Sequence, residues 1–176
     1  MTNKFAGTLV AALLLLLCVG RKGLAGAADD MDSGAEPTIS IDIPVKLEKA
    51  DVVFNMNHLV LRGDMSVGLR YMDQLAKALK KAETKNQIIG IFYNEAGHFT
   101  LNDAPYNTFR GVNTGNPYKT QIADLIKQGI QIEECAETMK SHHWGNEDLL
   151  PGVKVNSGAV GRLVQLTQQG FVQIQP

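Results

Sequence analysis

An α/β fold, a three-layer sandwich around a mainly parallel five-stranded sheet, is the architecture that this 176-residue sequence predicts. Asp51-Val-Val-Phe-Asn-Met56 and Ile88-Ile-Gly-Ile-Phe-Tyr93 are apolar runs of strand length with little polar alternation, so they read as strands buried on both faces. Between such runs lie stretches whose apolar residues recur at the 3.6-residue period of a helix, several of them stopped by glycine. Strands that alternate with helices build a parallel sheet with helices on both faces.

Taken in order, Ile39, Ile41 and Ile43 alternate with polar residues before Pro44, which fits a short edge strand. Residues 51–56 form the first main strand. After a loop from Asn57 to Gly63, Asp64 is the expected cap of a helix carrying Met65, Leu69, Met72, Leu75 and Leu79 on one face. Ile88 to Tyr93 is the second strand, and Asn94 to Asn116 reads as a long irregular stretch. Asn116 and Pro117 open a helix with Tyr118, Ile122, Leu125 and Ile126 inward, ended by Gly129. Ile130 to Glu134 is the third strand and Cys135 to His143 a short helix. A brief strand at Val153 to Val155 follows. Ser157 then caps a last helix with Val160, Leu163 and Val164 inward, and Phe171 to Gln175 closes the chain as a strand.

The N-terminus follows the pattern of an export signal: Lys4, an apolar core over residues 8–20, then the small residues Ala25-Gly26-Ala27. That core is shorter than the roughly 20 residues a membrane-spanning helix needs. The expected organisation is a signal over residues 1–27, a tether with the edge strand over 28–48, and one α/β domain over 49–176. Removal of the signal takes away Lys4, Arg21 and Lys22 and no acid, moving the formal charge from −1 to −4. A chain of that charge, without a basic patch, is not expected to bind nucleic acid or, once the signal is gone, a membrane. The chain reads as periplasmic or secreted.

Export singles out Cys135. Cys18 lies within the signal core, so the mature chain keeps one cysteine and no intrachain disulfide can form. Cys135 is either a buried small hydrophobe or a working sulfur, placed where a strand gives way to a helix. In parallel sheets ligands collect at the carboxyl ends of the strands. Asn57 with His58, the loop after Tyr93, and Cys135 would share that edge.

The run Gly129-Ile-Gln-Ile-Glu-Glu-Cys135-Ala-Glu-Thr-Met139 carries a resemblance. It continues through Asp148-Leu-Leu-Pro-Gly-Val153, Asn156-Ser-Gly158, Leu163 to Gln168, Gly170-Phe171 and the terminal Pro176. Over roughly residues 49–176 the chain resembles the DsrE/DsrF-like family of small sulfur-metabolism proteins. The resemblance implies a parallel five-stranded α/β fold, assembly as homo-trimers or hexamers, and sulfur carried as a persulfide between donor and acceptor. It implies that Cys135 is the carrier and that no cofactor is needed. The partners are then a sulfur donor or acceptor protein or a small sulfur compound. An export signal separates this chain from the family's cytoplasmic relays.

A carrier thiol works as the thiolate, which a helix N-terminus favours and nearby Glu133, Glu134 and Glu137 oppose. In an extended strand Glu133 shares the face of Cys135 and Glu134 takes the other. His142 follows Cys135 by two helical turns. It is placed to assist the thiol or, with Met139, to complete a soft-metal site, against the plainer reading of a polar helix end. With no fourth ligand and no zinc spacing, no metal is expected. His58 and His98 are candidates to line the pocket as acid, base or anion contact, or else surface residues. Arg110, in a glycine-rich loop without a phosphate-binding motif, is a candidate contact for an oxyanion such as thiosulfate, or part of a subunit contact. The competing function is a non-catalytic oligomeric protein that binds a small ligand or a partner.

Overall fold

The structure, a computed structural model, describes residues 38–176. The expected signal, Cys18 and most of the tether lie outside the described residues. The described residues fall in two units, 38–42 in the first and Ile43–Pro176 in the second. Residues 38–42 of the first are exposed. The expected edge strand does not form: Ile39 and Ile41, and Ile43 in the second unit, are solvent-exposed outside any strand. Pro44 lacks the amide that a ladder would use.

In the second unit β1 (Lys49–Met56) leads to a small antiparallel hairpin, β2 (Leu61–Arg62) and β3 (Met65–Ser66). Gly63 and Asp64 make its turn, so Asp64 is not the helix cap. That place belongs to Ser66, whose Oγ accepts the Leu69 amide at 3.4 Å at the start of α1 (Val67–Lys81). β4 (Lys85–Phe92) follows. The stretch read as irregular holds a 3-10 helix, Asn94–Thr100, and α2 (Asp103–Arg110). Asn116 then ties that region to α3 (Lys119–Lys127). Its Nδ2 donates to the Phe99 and Leu101 carbonyls at 2.9 and 2.6 Å, and its Oδ1 accepts the Tyr118 amide at 2.9 Å. Gly129, at φ 89°, turns the chain into β5 (Gln131–Cys135). α4 (Ala136–His142), a 3-10 turn at Asn146–Asp148, β6 (Lys154–Asn156), α5 (Ala159–Gln168) and β7 (Val172–Ile174) complete the domain.

The five-stranded sheet has the order β6-β5-β4-β1-β7 and every pairing in it is parallel. Alternation then sorts the core. Val52, Phe54, Ile88, Phe92 and Ile132 face α1 and α3, where Leu69, Met72, Ile122 and Leu125 meet them. Val53, Ile89, Ile91 and Cys135 face α5 on the opposite side, against Ala159, Leu163 and Leu166. The architecture is the predicted α/β sandwich.

α5 begins after Ser157, at Ala159, with Gly158 in the cap position and no side-chain cap. Packing on Val53, Ile89 and Ile91 sets its buried stripe at Ala159, Leu163 and Leu166, and leaves Val160 and Val164, expected inward, 69% and 53% exposed. No helix among the described residues is long and apolar enough to cross a membrane. The phase of α5 predicts that Leu166→Ala costs about 2–5 kcal/mol, a cavity penalty, whereas Val164→Ala costs about 0.5 kcal/mol or less. Urea unfolding of the two variants checks this.

Candidate functional site

All five strands point the same way, so their carboxyl ends form one edge of the sheet. Cys135 is the last residue of β5 on that edge and occupies the cap position of α4. Its side chain, however, belongs to the α5 side. Sγ accepts the Ala159 backbone amide at 3.3 Å, at the first turn of α5. The positive end of a ten-residue helix therefore abuts the sulfur and favours negative charge there.

A pocket of about 460 Å³ opens over this sulfur, with Tyr93, Asn94, Thr138, His142 and Val160 among its walls. Cys135 itself is 4% exposed. The turn after β4 supplies one wall: Asn94, at φ 51°, donates its amide to Thr138 Oγ1 at 3.0 Å and so fastens β4 to α4. Glu137 stands at the rim, paired with Lys140 Nζ at 2.8 Å.

The two acids before Cys135 are each dealt with differently. Glu133, on the α5 face, receives Arg162 Nη2 at 2.9 Å and Nε at 3.0 Å, with Gln131 and Asn156 donating to its remaining lone pairs. That pair is largely buried and its charges cancel. It lines a second, polar cavity of about 630 Å³ beside β6, whose polar groups are mostly bonded to one another.

Glu134 points to the opposite face and is fully buried. Thr100 Oγ1 lies 2.9 Å from both Glu134 Oε2 and the Gly97 carbonyl. A hydroxyl has one proton and a carbonyl can only accept, so a protonated Glu134 that donates to Thr100 satisfies both contacts at once. Burial likewise pushes this carboxyl well above the usual range. Oε1 has no partner and sits where Gly97 leaves room: a Cβ at position 97 would stand 2.9 Å from it.

Of the other residues singled out from the sequence, His142 lines the Cys135 pocket. It stacks on Trp144 with centroids 4.6 Å apart and meets Phe109 edge-on at 5.0 Å. Asn57, His58, His98 and Arg110 are not among the lining residues. Asn57 and His58 contact each other at the end of β1, where Asn57 Oδ1 also accepts Gln175 Nε2 at 3.1 Å. His98 is buried among Phe99, Tyr106 and Phe109, with Nδ1 bonded to the Glu95 carbonyl at 2.6 Å. Burial draws its pKa down to about 4, so it is neutral near pH 7. Arg110 is exposed in the last turn of α2. Arg162, Thr100 and Ala159 escaped the sequence reading. Among the described residues no group of three or more His, Cys, Asp or Glu is arranged to hold a metal ion.

Residues 69–176, more than half of the chain, match the DsrE/DsrF-like family. The chain belongs to that family. Two solved structures share the fold of this DsrE/DsrF-like protein. MTH1491 from Methanobacterium thermoautotrophicum, described as a protein of unknown function, has 23% identity and a TM-score of 0.57, over 72% of this chain and 99% of its own. The ychN protein from E.coli has 15% identity and a TM-score of 0.52, over 72% and 99%. No curated protein matches the chain.

Two substitutions probe the neutralised acids. Arg162→Leu strands the Glu133 carboxylate in the interior and is expected to cost about 3–5 kcal/mol. Adding Glu133→Leu is expected to recover most of that in urea titrations. Glu134 keeps its proton in the folded chain and releases it above about pH 4.5 when unfolded. Its contribution is thus complete below that pH and is lost as the pH rises towards the raised folded value. Wild type should therefore lose stability from pH 5 to pH 9 relative to Glu134→Gln, as read from urea midpoints at each pH.

Proposed function

We propose that this DsrE/DsrF-like protein takes part in a sulfur relay outside the cytoplasm, carrying sulfur as a persulfide on Cys135. The observation that carries this reading is the Ala159 amide held 3.3 Å from Sγ at the base of a pocket. A backbone donor at a helix start stabilises both the attacking thiolate and the terminally charged persulfide. The neighbouring Glu133 is charge-matched and Glu134 protonated, so neither opposes the charge on sulfur.

The transfer needs no cofactor. The Cys135 thiolate attacks the outer sulfur of a donor persulfide R–S–SH, a new Sγ–S bond forms, and the donor's S–S bond breaks. The electron pair leaves on R–S⁻, which takes up the proton given by Cys135, so the products are Cys135–S–SH and R–SH. Delivery to an acceptor thiol is the same exchange in reverse. Donor and acceptor are a small sulfur compound or a partner protein, and the working form is a homo-oligomer of the trimer or hexamer kind.

The test is the intact mass of the purified protein before and after exposure to polysulfide, with Cys135→Ala alongside. The expected result is a gain of one or more sulfur atoms in wild type, absent from the variant and reversed by a thiol reductant. No gain, together with a native Cys135 that resists alkylation, would sink the carrier reading and leave the pocket as a binding site for a small ligand or partner.

A further inference from the structure

The five odd positions from Ile39 to Leu47 are Ile, Ile, Ile, Val and Leu, while the even ones are Ser40, Asp42, Pro44 and Lys46. That strict period of two gives an extended segment one wholly apolar face. In the structure Ile39, Ile41, Ile43 and Val45 of this face are 76–84% exposed.

The domain carries a matching absence. β7 pairs with β1 on one side only and has a free edge. It holds Gln173, is followed by Gln175, and lacks the lysine, glutamate or internal proline that usually guards such an edge. Val172 stands 63% exposed on it. Beside that edge runs a trough of about 420 Å³, with Leu47, Val52, Leu75, Val172 and Ile174 as its apolar wall and Lys49, Asp51 and Gln169 at its polar side.

Of residues 43–47, only Leu47 lines the trough of its own chain. Thr84 Oγ1 donates to the Leu47 carbonyl at 3.1 Å and fixes the root of the arm, with the Leu47 side chain at the trough. Val45 and Ile43, just before it, are turned out to solvent. An apolar strand face and an apolar receiving edge on one chain, not satisfied by each other, are satisfied by a second copy. Pro44 removes one amide from such a ladder, a loss that an edge strand with one side free tolerates.

We propose that residues 39–47 of one copy add as an edge strand to β7 of a second copy, seating Ile43 and Val45 in its trough. The occupant is the arm of another chain of the same sequence, and the strand absent from the isolated chain forms on association.

Backbone hydrogen exchange over residues 39–47, followed across a wide dilution series together with sedimentation mass, tests this. Protection of these amides at high concentration is expected, lost on dilution in step with a fall from at least twice the chain mass. Val172→Asp in the trough and Ile43→Asp in the arm, both at exposed positions, are each expected to abolish the protection and lower the mass. Protection independent of concentration would mean that the arm folds onto its own chain. Fast exchange at all concentrations would mean a free arm, and an assembly untouched by both substitutions would mean another interface. Any of these three overturns the proposal.

Discussion

Three successive side chains of β5, Glu133, Glu134 and Cys135, lie at the end of an interior strand, and an extended backbone sends them alternately to opposite faces. Two carboxylates cannot be dehydrated there as bare charges. One is answered by a guanidinium from α5 and the other keeps its proton beneath Thr100. α5 thus does three things for the site: it covers the sheet, neutralises Glu133 and presents an amide to the sulfur. The 3-10 helix after β4 serves the other face, where Gly97 lets the backbone come close enough to roof Glu134.

The sulfur gains its partner from α5, which covers its own face of the sheet, and not from the helix it precedes. α4 starts at Ala136 and its free amides point along its own axis, whereas Cys135 Sγ projects sideways toward α5. A helix dipole still favours charge on the sulfur, with α5 as its source. A nearby histidine is likewise retained in His142, whose ring is fixed against Trp144 and Phe109 instead of being free to swing.

Much of the fold was legible because it rests on apolar patterning. The runs at 51–56 and 88–93 and the glycine stops fall inside or beside the observed strands and helices. The stretch from Asn94 to Asn116 was not, since a 3-10 helix lacks the 3.6-residue period and α2 buries only Tyr106. Caps were misread where a hairpin turn took Asp64 and where α5 started beyond Ser157. At the site the sequence pointed to Cys135 and His142, and the strand's alternation separated Glu133 from Glu134. Arg162 was hidden because only the packing of α5 against β5 brings positions 29 residues apart together. Asn57, His58 and His98 were grouped with the cysteine by a shared sheet edge, but β4 stands between β1 and β5, and His98 turns into an aromatic cluster.

The order in which a chain is made gives the Ala159 contact a further meaning. The amide that holds the Cys135 sulfur lies 24 residues after it, and β7, which closes the sheet against β1, comes later still. While the chain emerges from its N-terminal end, Cys135 is present before the helix that covers it, so its thiol is open to any oxidant until the last elements dock. Once they have docked, the sulfur is reached only through its pocket. Completion of the C-terminus therefore decides when the thiol changes from a general hazard to a selective one.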